Sequence, residues 1–197
     1  MPKATPTTNI NVAIPPMRIE RLNIRLVSDS ALICHAWSSK AKRAMLDKQM
    51  GKAKEARARK DPQADFEESL YPFPGGGYGF PAVAFKAAAV DACSHVKDLT
   101  KVLARGAFHI DQELLHIEAE APTMREDMVK IAMGTADIRY RGQFNPWSVV
   151  VPLRYNAGLL TAEQVVQLFN CAGFAIGVGE WRPQRDGQFG MFHVEGL

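Results

Sequence analysis

From Arg18 onward apolar and polar positions alternate, with Leu22, Ile24 and Leu26 set against Arg21, Asn23 and Arg25. A two-residue period of this kind belongs to a half-buried strand, predicted over residues 17–28. Ser28-Asp29-Ser30 breaks the alternation, and the short apolar stretch ALICHAW at 31–37 leads away from it. Residues 38–68 are dense in Ala, Lys, Arg, Met and Glu, which favours helix, but they carry too few large apolar side chains to enter a core. An exposed arm is expected there. YPFPGGGYGF at 71–80 reads as a loop, and Pro81 then suits the first turn of a helix over 81–96 whose apolar face includes Val83, Phe85, Val90 and Cys93.

The second half is richer in strand signals. After a connector at 99–106, residues 107–110 and 114–118 read as a hairpin or one interrupted strand around Asp111-Gln112-Glu113. A break is expected at 122–126, with strands over 128–133, 138–140 and 148–155. Pro152 lacks an N–H for a ladder, so it points to an edge or a bulge. Thr161 and Gln164 have the spacing of a capping box, and Val165, Leu168, Phe169 and Ala172 form a stripe at helical spacing, so a helix is predicted to run from Thr161 to Gly173. A loop over 177–190 and a short strand at 191–194 close the chain. With insertions set aside, the order β-α-β-β-α-β is that of an α+β, ferredoxin-like core, with both helices on one sheet face and the other face free. Residues 17–197 are then one domain, with 38–80 inserted and 1–16 as an extended tail.

Charge changes this picture in one place. Residues 40–60 hold nine basic side chains against two acids, a local +7 in a chain of net charge +3, which leaves −4 for the remainder. Lys52, Lys54, Arg57 and Arg59 lie at the centre of this field, which suits a polyanion. The three cysteines, Cys34, Cys93 and Cys171, show no metal-binding or disulfide spacing, so no cofactor and no metal is expected. There is no apolar run long enough to span a membrane and no continuous apolar stretch near the start, so a cytoplasmic protein is expected.

The loop at 177–190 concentrates the candidate binding chemistry. Gly177, Gly179, Gly187 and Gly190 set its shape, and Trp181, Arg182 and Arg185 lie between them. An exposed indole stacks on bases and a guanidinium holds phosphates, a combination suited to RNA or single-stranded DNA. The same residues also fit a hairpin that merely closes a sheet, with Trp181 pinned beneath it.

Gly177-Val-Gly179, seven residues, then Gly187-Gln-Phe-Gly190-Met-Phe resembles the glycine-rich loop of the RAMP superfamily, CRISPR-associated RNA-binding proteins with a ferredoxin-like core. Ser30-Ala-Leu32-Ile33 followed by His35 is similar to the segment after the first strand in that family. The resemblance covers less than a third of the chain, and the chain also resembles proteins carried by bacteriophages. It implies RNA binding through the glycine loop, and self-association along a strand with the basic arm reaching a neighbour. Some RAMP endoribonucleases use a histidine as general acid or base, and His35 lies nearest the corresponding position. No second catalytic partner has a family spacing, so the expectation is a non-catalytic nucleic-acid-binding protein. The alternatives are a phage structural or protein-interaction protein, and a metal-independent endoribonuclease.

Overall fold

The alternation around Leu22–Leu26 does form a strand, and it lies inside a sheet with partners on both sides. The computed structural model describes residues 16–52, 59–130, 134 and 136–196. The elements in order are β1 (Ile19–Ser28), β2 (Leu32–Ile33), α1 (Ser39–Gln49), α2 (Pro62–Glu68), β3 (Tyr71–Pro72), β4 (Tyr78–Pro81), α3 (Ala82–Ala92), α4 (Lys101–Ala107), β5 (Phe108–Ile110), β6 (Leu114–His116), β7 (Glu118–Ala119), β8 (Thr123–Lys130), β9 (Ala136–Phe144), β10 (Trp147–Asn156), α5 (Ala162–Ala175) and β11 (Phe192–Val194). Helices over antiparallel sheets make this an α+β fold. Except for Pro16, the tail expected at 1–16 lies outside the described residues.

The main sheet has the order β11-β1-β10-β5, every pairing antiparallel, with β7 against the start of β10. The register of β1 on β10 runs from Ile19↔Asn156 to Val27↔Ser148. Side chains alternate across the sheet, so Ile24 and Leu26 enter the core with Trp147, Val149, Val151, Leu153 and Tyr155 of β10. α3 and α5 cover this face. Phe85 of α3 packs its ring 6.4 Å from Trp147 and 5.8 Å from Phe192, and Phe169 of α5 lies 5.8 Å from Phe108. Burying each such ring contributes about 1.5–3 kcal/mol, which makes the helix–sheet layer the main source of stability.

α5 begins as its sequence predicts. Thr161 Oγ1 accepts from the Gln164 N–H at 3.3 Å, and Gln164 Oε1 accepts from the Thr161 N–H at 2.9 Å. The helix does not stop at Gly173 but runs on to Ala175. Gly173 serves packing instead of termination: a Cβ there would lie 1.7 Å from the carbonyl oxygen of Phe192, so its absence lets β11 lie directly on the helix.

Other expectations are corrected by tertiary pairing. Residues 108–110 and 114–116 do not pair with each other, since β5 joins β10 while β6 joins β4 in a separate sheet, β3-β4-β6. The ends of the expected loop at 71–80 are the strands β3 and β4. The expected break at 122–126 is largely strand, because β8 starts at Thr123 and pairs with β9 from Thr123↔Gln143 to Lys130↔Ala136. The connector at 99–106 is mostly helix α4, capped by Thr100 Oγ1 accepting from the Leu103 N–H at 3.2 Å. Pro152 sits in a strand with neighbours on both sides. Its carbonyl accepts from the Asp111 N–H, so its nitrogen faces the same side, in the gap between the segments of β10 covered by β7 and by β5. The missing N–H therefore falls at a local edge.

Candidate nucleic-acid interface

The loop after α5 is stapled at its neck. Val178 N–H donates to Gly190 O at 3.0 Å, Gly190 N–H to Ala31 O at 2.7 Å, and Glu180 N–H to Ile33 O at 3.1 Å. The loop thus rests on the 31–33 segment that follows β1. Further in, Phe189 N–H donates to Trp181 O at 3.0 Å and Gly187 N–H to Arg182 O at 3.1 Å, around a 3₁₀ turn at Pro183–Arg185. Gly187 permits this fold, because a Cβ would meet Trp181 O at 1.7 Å. Gly177, Gly179 and Gly190 all have positive φ.

Trp181 is not a core residue. It takes a left-handed backbone, φ 54°, and is 41% exposed. A non-glycine residue in that region costs about 1–2 kcal/mol, which the surrounding hydrogen bonds must offset. Arg185 is exposed. Arg182 is engaged within the loop itself: its Nη1 donates to Gly179 O at 3.0 Å and its Nε to Gln184 Oε1 at 3.2 Å. The expected pair of phosphate-holding arginines is therefore divided, with Arg182 shaping the loop and Arg185 presented by it.

His35 follows β2, and the structure gives it the partner that the sequence did not. Its Nδ1 lies 3.0 Å from Glu180 Oε1, on the glycine loop. Glu180 also faces Arg141 Nη2 at 3.7 Å, Arg141 Nη1 donates to Asp127 Oδ2 at 3.2 Å, and Arg125 Nε donates to Asp127 Oδ1 at 2.8 Å. Arg125 then covers the Phe189 ring at 4.6 Å. The hydrogen bond from His35, and next the charge of Arg141, hold the Glu180 carboxyl below the usual glutamate range. This chain of alternating charges ties the loop to the β8–β9 hairpin. Its members are spread from residue 35 to residue 180, so no spacing could have announced it.

A second exposed indole joins this region. Trp37, two residues after His35, is 61% exposed, and it lines a cleft of about 310 Å³ with His35, Ser38, Met45, Tyr140 and Arg141. The sequence shows Trp37 only as the end of an apolar run. α1, which carries Lys40, Lys42, Arg43 and Lys48, starts at this cleft with Ser38 as its cap and buries no side chain. Of the arm residues expected to bind, Lys52 is drawn to Asp47 at 2.8 Å, Arg59 is exposed, and Lys54 and Arg57 lie outside the described residues. Lys60, at the end of the arm, pairs with Asp137 at 3.2 Å.

Among the described residues no cluster of His, Cys, Asp and Glu could hold a metal ion, and no helix is long and apolar enough to cross a membrane. No family model and no curated protein matches the sequence. Among solved structures, the chain is similar to the crystal structure of Cmr6 from Pyrococcus furiosus, with 9% sequence identity and a TM-score of 0.47, covering 91% of this chain and 100% of that one. At that identity the likeness reaches no individual side chain.

Proposed function

We propose that the chain is a non-catalytic protein that binds single-stranded nucleic acid, RNA in the first instance, across the glycine loop and the adjoining basic helix. The observation that carries this reading is that the His35–Glu180 hydrogen bond joins two segments that each present an exposed indole, Trp37 two residues after His35 and Trp181 next to Glu180. Exposed indoles are costly to leave in water and useful for stacking bases, each stack contributing about 1–3 kcal/mol. Arg185, exposed on the same loop as Trp181, and the cations of α1, which starts just after Trp37, supply the attraction for phosphates. The preference for RNA comes from the resemblance of the glycine loop to that of RAMP proteins. The sheet order β11-β1-β10-β5, with α3 and α5 as its two crossover helices, supports a ferredoxin-like core for the same reading. Because α1 buries no side chain, it is also free to meet a neighbouring copy along the strand.

The test is Trp181→Ala, followed both by thermal melting and by titration of a labelled single-stranded RNA. Affinity should fall by about 1–3 kcal/mol with the melting temperature little changed. Undiminished affinity would refute the role given to this loop, and a collapsed melting temperature would return Trp181 to a structural role. One observation favours a second reading, a metal-independent endoribonuclease: Glu180 orients the His35 ring as a carboxylate orients a general base. EDTA-resistant RNA cleavage abolished in His35→Ala would establish that reading over the first.

A further inference from the structure

The face of the main sheet turned away from α3 and α5 carries a row of basic side chains that the glycine loop does not use. Directly opposed residues in neighbouring strands point to the same face, and the register places Arg21 of β1 opposite Arg154 of β10, and Arg154 opposite His109 of β5. All three are exposed. Like charges directly opposite one another destabilise a sheet, so this row costs stability where it stands. Arg154 is compensated by Asp111 at 3.2 Å, while Arg21 forms no ion pair among the described residues. Lys86 reaches round the sheet edge to put its Nζ 3.1 Å from His109 Nδ1. With that nitrogen accepting from an ammonium, the ring proton sits on Nε2 and remains a donor. Burial, and next the charge of Lys86, lower the His109 pKa, in keeping with a neutral ring.

We infer that the row Arg21–Arg154–His109 is a second contact for the phosphodiester backbone of the same single strand. The inference rests on the nucleic-acid reading above. The row lies seven residues back along β1 from Ser28, where the chain turns toward the loop, a distance of about 23 Å at ~3.3 Å per strand residue. Charge complementarity chooses the occupant: among the described residues Asp111, on Arg154, is the one carboxylate ion-paired with Arg21 or Arg154, and a phosphate backbone presents one anion after another. Arg25, farther along the same face, is already neutralised by Glu118 at 2.6 Å and Glu195 at 3.5 Å, which confines the contact to the Arg21 end.

The separation supplies the test. An oligonucleotide of about 4 nucleotides engages the loop alone, whereas one of about 16 is long enough to reach the row. In the Arg21→Gln/Arg154→Gln protein, the slope of log affinity against log salt should become shallower by about 1.4 for the long RNA, about 0.7 for each phosphate that is no longer neutralised. The short RNA should bind as it does to the unmodified protein. Arg21→Glu provides a variant that folds securely, because it converts a like-charge opposition into an ion pair with Arg154; it should melt no lower and still bind the long RNA more weakly. An unchanged long-RNA slope, with Trp181→Ala still weakening binding, overturns this inference and leaves the loop reading intact. If neither RNA binds the unmodified protein, the nucleic-acid reading itself falls and takes this inference with it.

Discussion

Replacing Gly190 by alanine tests whether the loop is held by close backbone contact or only by sequence habit. Gly190 has φ +65°, and a Cβ there would lie 1.7 Å from the carbonyl oxygen of Val178 and 2.8 Å from its carbon. The left-handed backbone costs an alanine about 1–2 kcal/mol. Forcing a methyl group against main chain that cannot rotate aside costs about 1–3 kcal/mol more, since Val178 is itself fixed by its hydrogen bond to Gly190 O. The expected loss is roughly 2–5 kcal/mol, and for a chain of this length each kcal/mol lowers the melting temperature by about 2–4 °C. Calorimetry or circular dichroism should therefore show a fall of about 4–20 °C. Binding of the long RNA should weaken in parallel, because Trp181 and Arg185 are carried on the segment whose neck is opened. A fall below about 2 °C, less than the backbone term alone requires, would refute this account of the loop.

Gly106, near the end of α4, has open space where a Cβ would go, so Gly106→Ala should raise stability by up to about 1 kcal/mol; an unchanged or lower melting temperature would contradict the assignment of α4. Glu180, Asp91 and Glu118 all have carboxyl pKa values lowered by their partners, His35, Lys101 and Arg25 respectively. Their contribution is present above the ordinary carboxylate range and disappears as pH falls through the folded values, so the melting temperature should drop on acidification below about pH 4, and Glu180→Gln should make that drop smaller. Burial drives the Cys34 thiol up to about 12. Cys34 should resist thiol reagents at pH 8 until the protein unfolds, and rapid labelling of the native protein would show that its segment opens.

Where a segment's neighbours in space are set by its own alternation, the sequence was informative. β1, β10 and α5 were visible in period and capping, and the capping box at Thr161 and Gln164 formed with both of its hydrogen bonds. α3 was visible in part, since Phe85 and Val90 are buried as expected, but Val83, read as part of the same apolar face, is exposed and the helix ends at Ala92. The failures came where a distant partner decides. Residues 114–118 looked like the return strand of a hairpin or the continuation of one strand from 107–110, but Leu114–His116 is claimed by β4 through the pairing Phe80↔Leu115. Gly173 carries the ordinary signal for a helix end, yet it is there because Phe192 passes within touching distance. Pro152 was read as pointing to an edge strand or a bulge, but β10 lies inside the sheet, and the missing N–H is tolerated because the neighbour on that side is interrupted there. α4 was missed because its short stretch, KVLARGA, buries only Ala104 and Ala107 and so shows little periodicity.

The candidate site divides in the same way. The glycines and Trp181 announce a shaped loop by composition alone, because glycine at fixed points is a statement about backbone. Arg182 and Arg185 are chemically identical in the sequence, and only the turn at Pro183–Arg185 separates their tasks, folding Arg182 back onto Gly179 O and leaving Arg185 outward. His35 stood alone in the sequence because its partner Glu180 comes from the glycine loop, with Arg141 and Asp127 linked in turn behind Glu180 from two further segments. That network has a consequence for binding. A loop joined to the β8–β9 hairpin through buried Arg141 cannot shift without taking the Glu180 carboxylate away from a buried guanidinium and leaving it to Asp127 alone. The indole of Trp181 is therefore presented on a fixed support, and a base that stacks on it does not have to order the loop first. Arg141→Met would remove that support without removing any proposed contact to nucleic acid. Its effect on affinity measures how much of the binding comes from rigidity and how much from the contacts themselves.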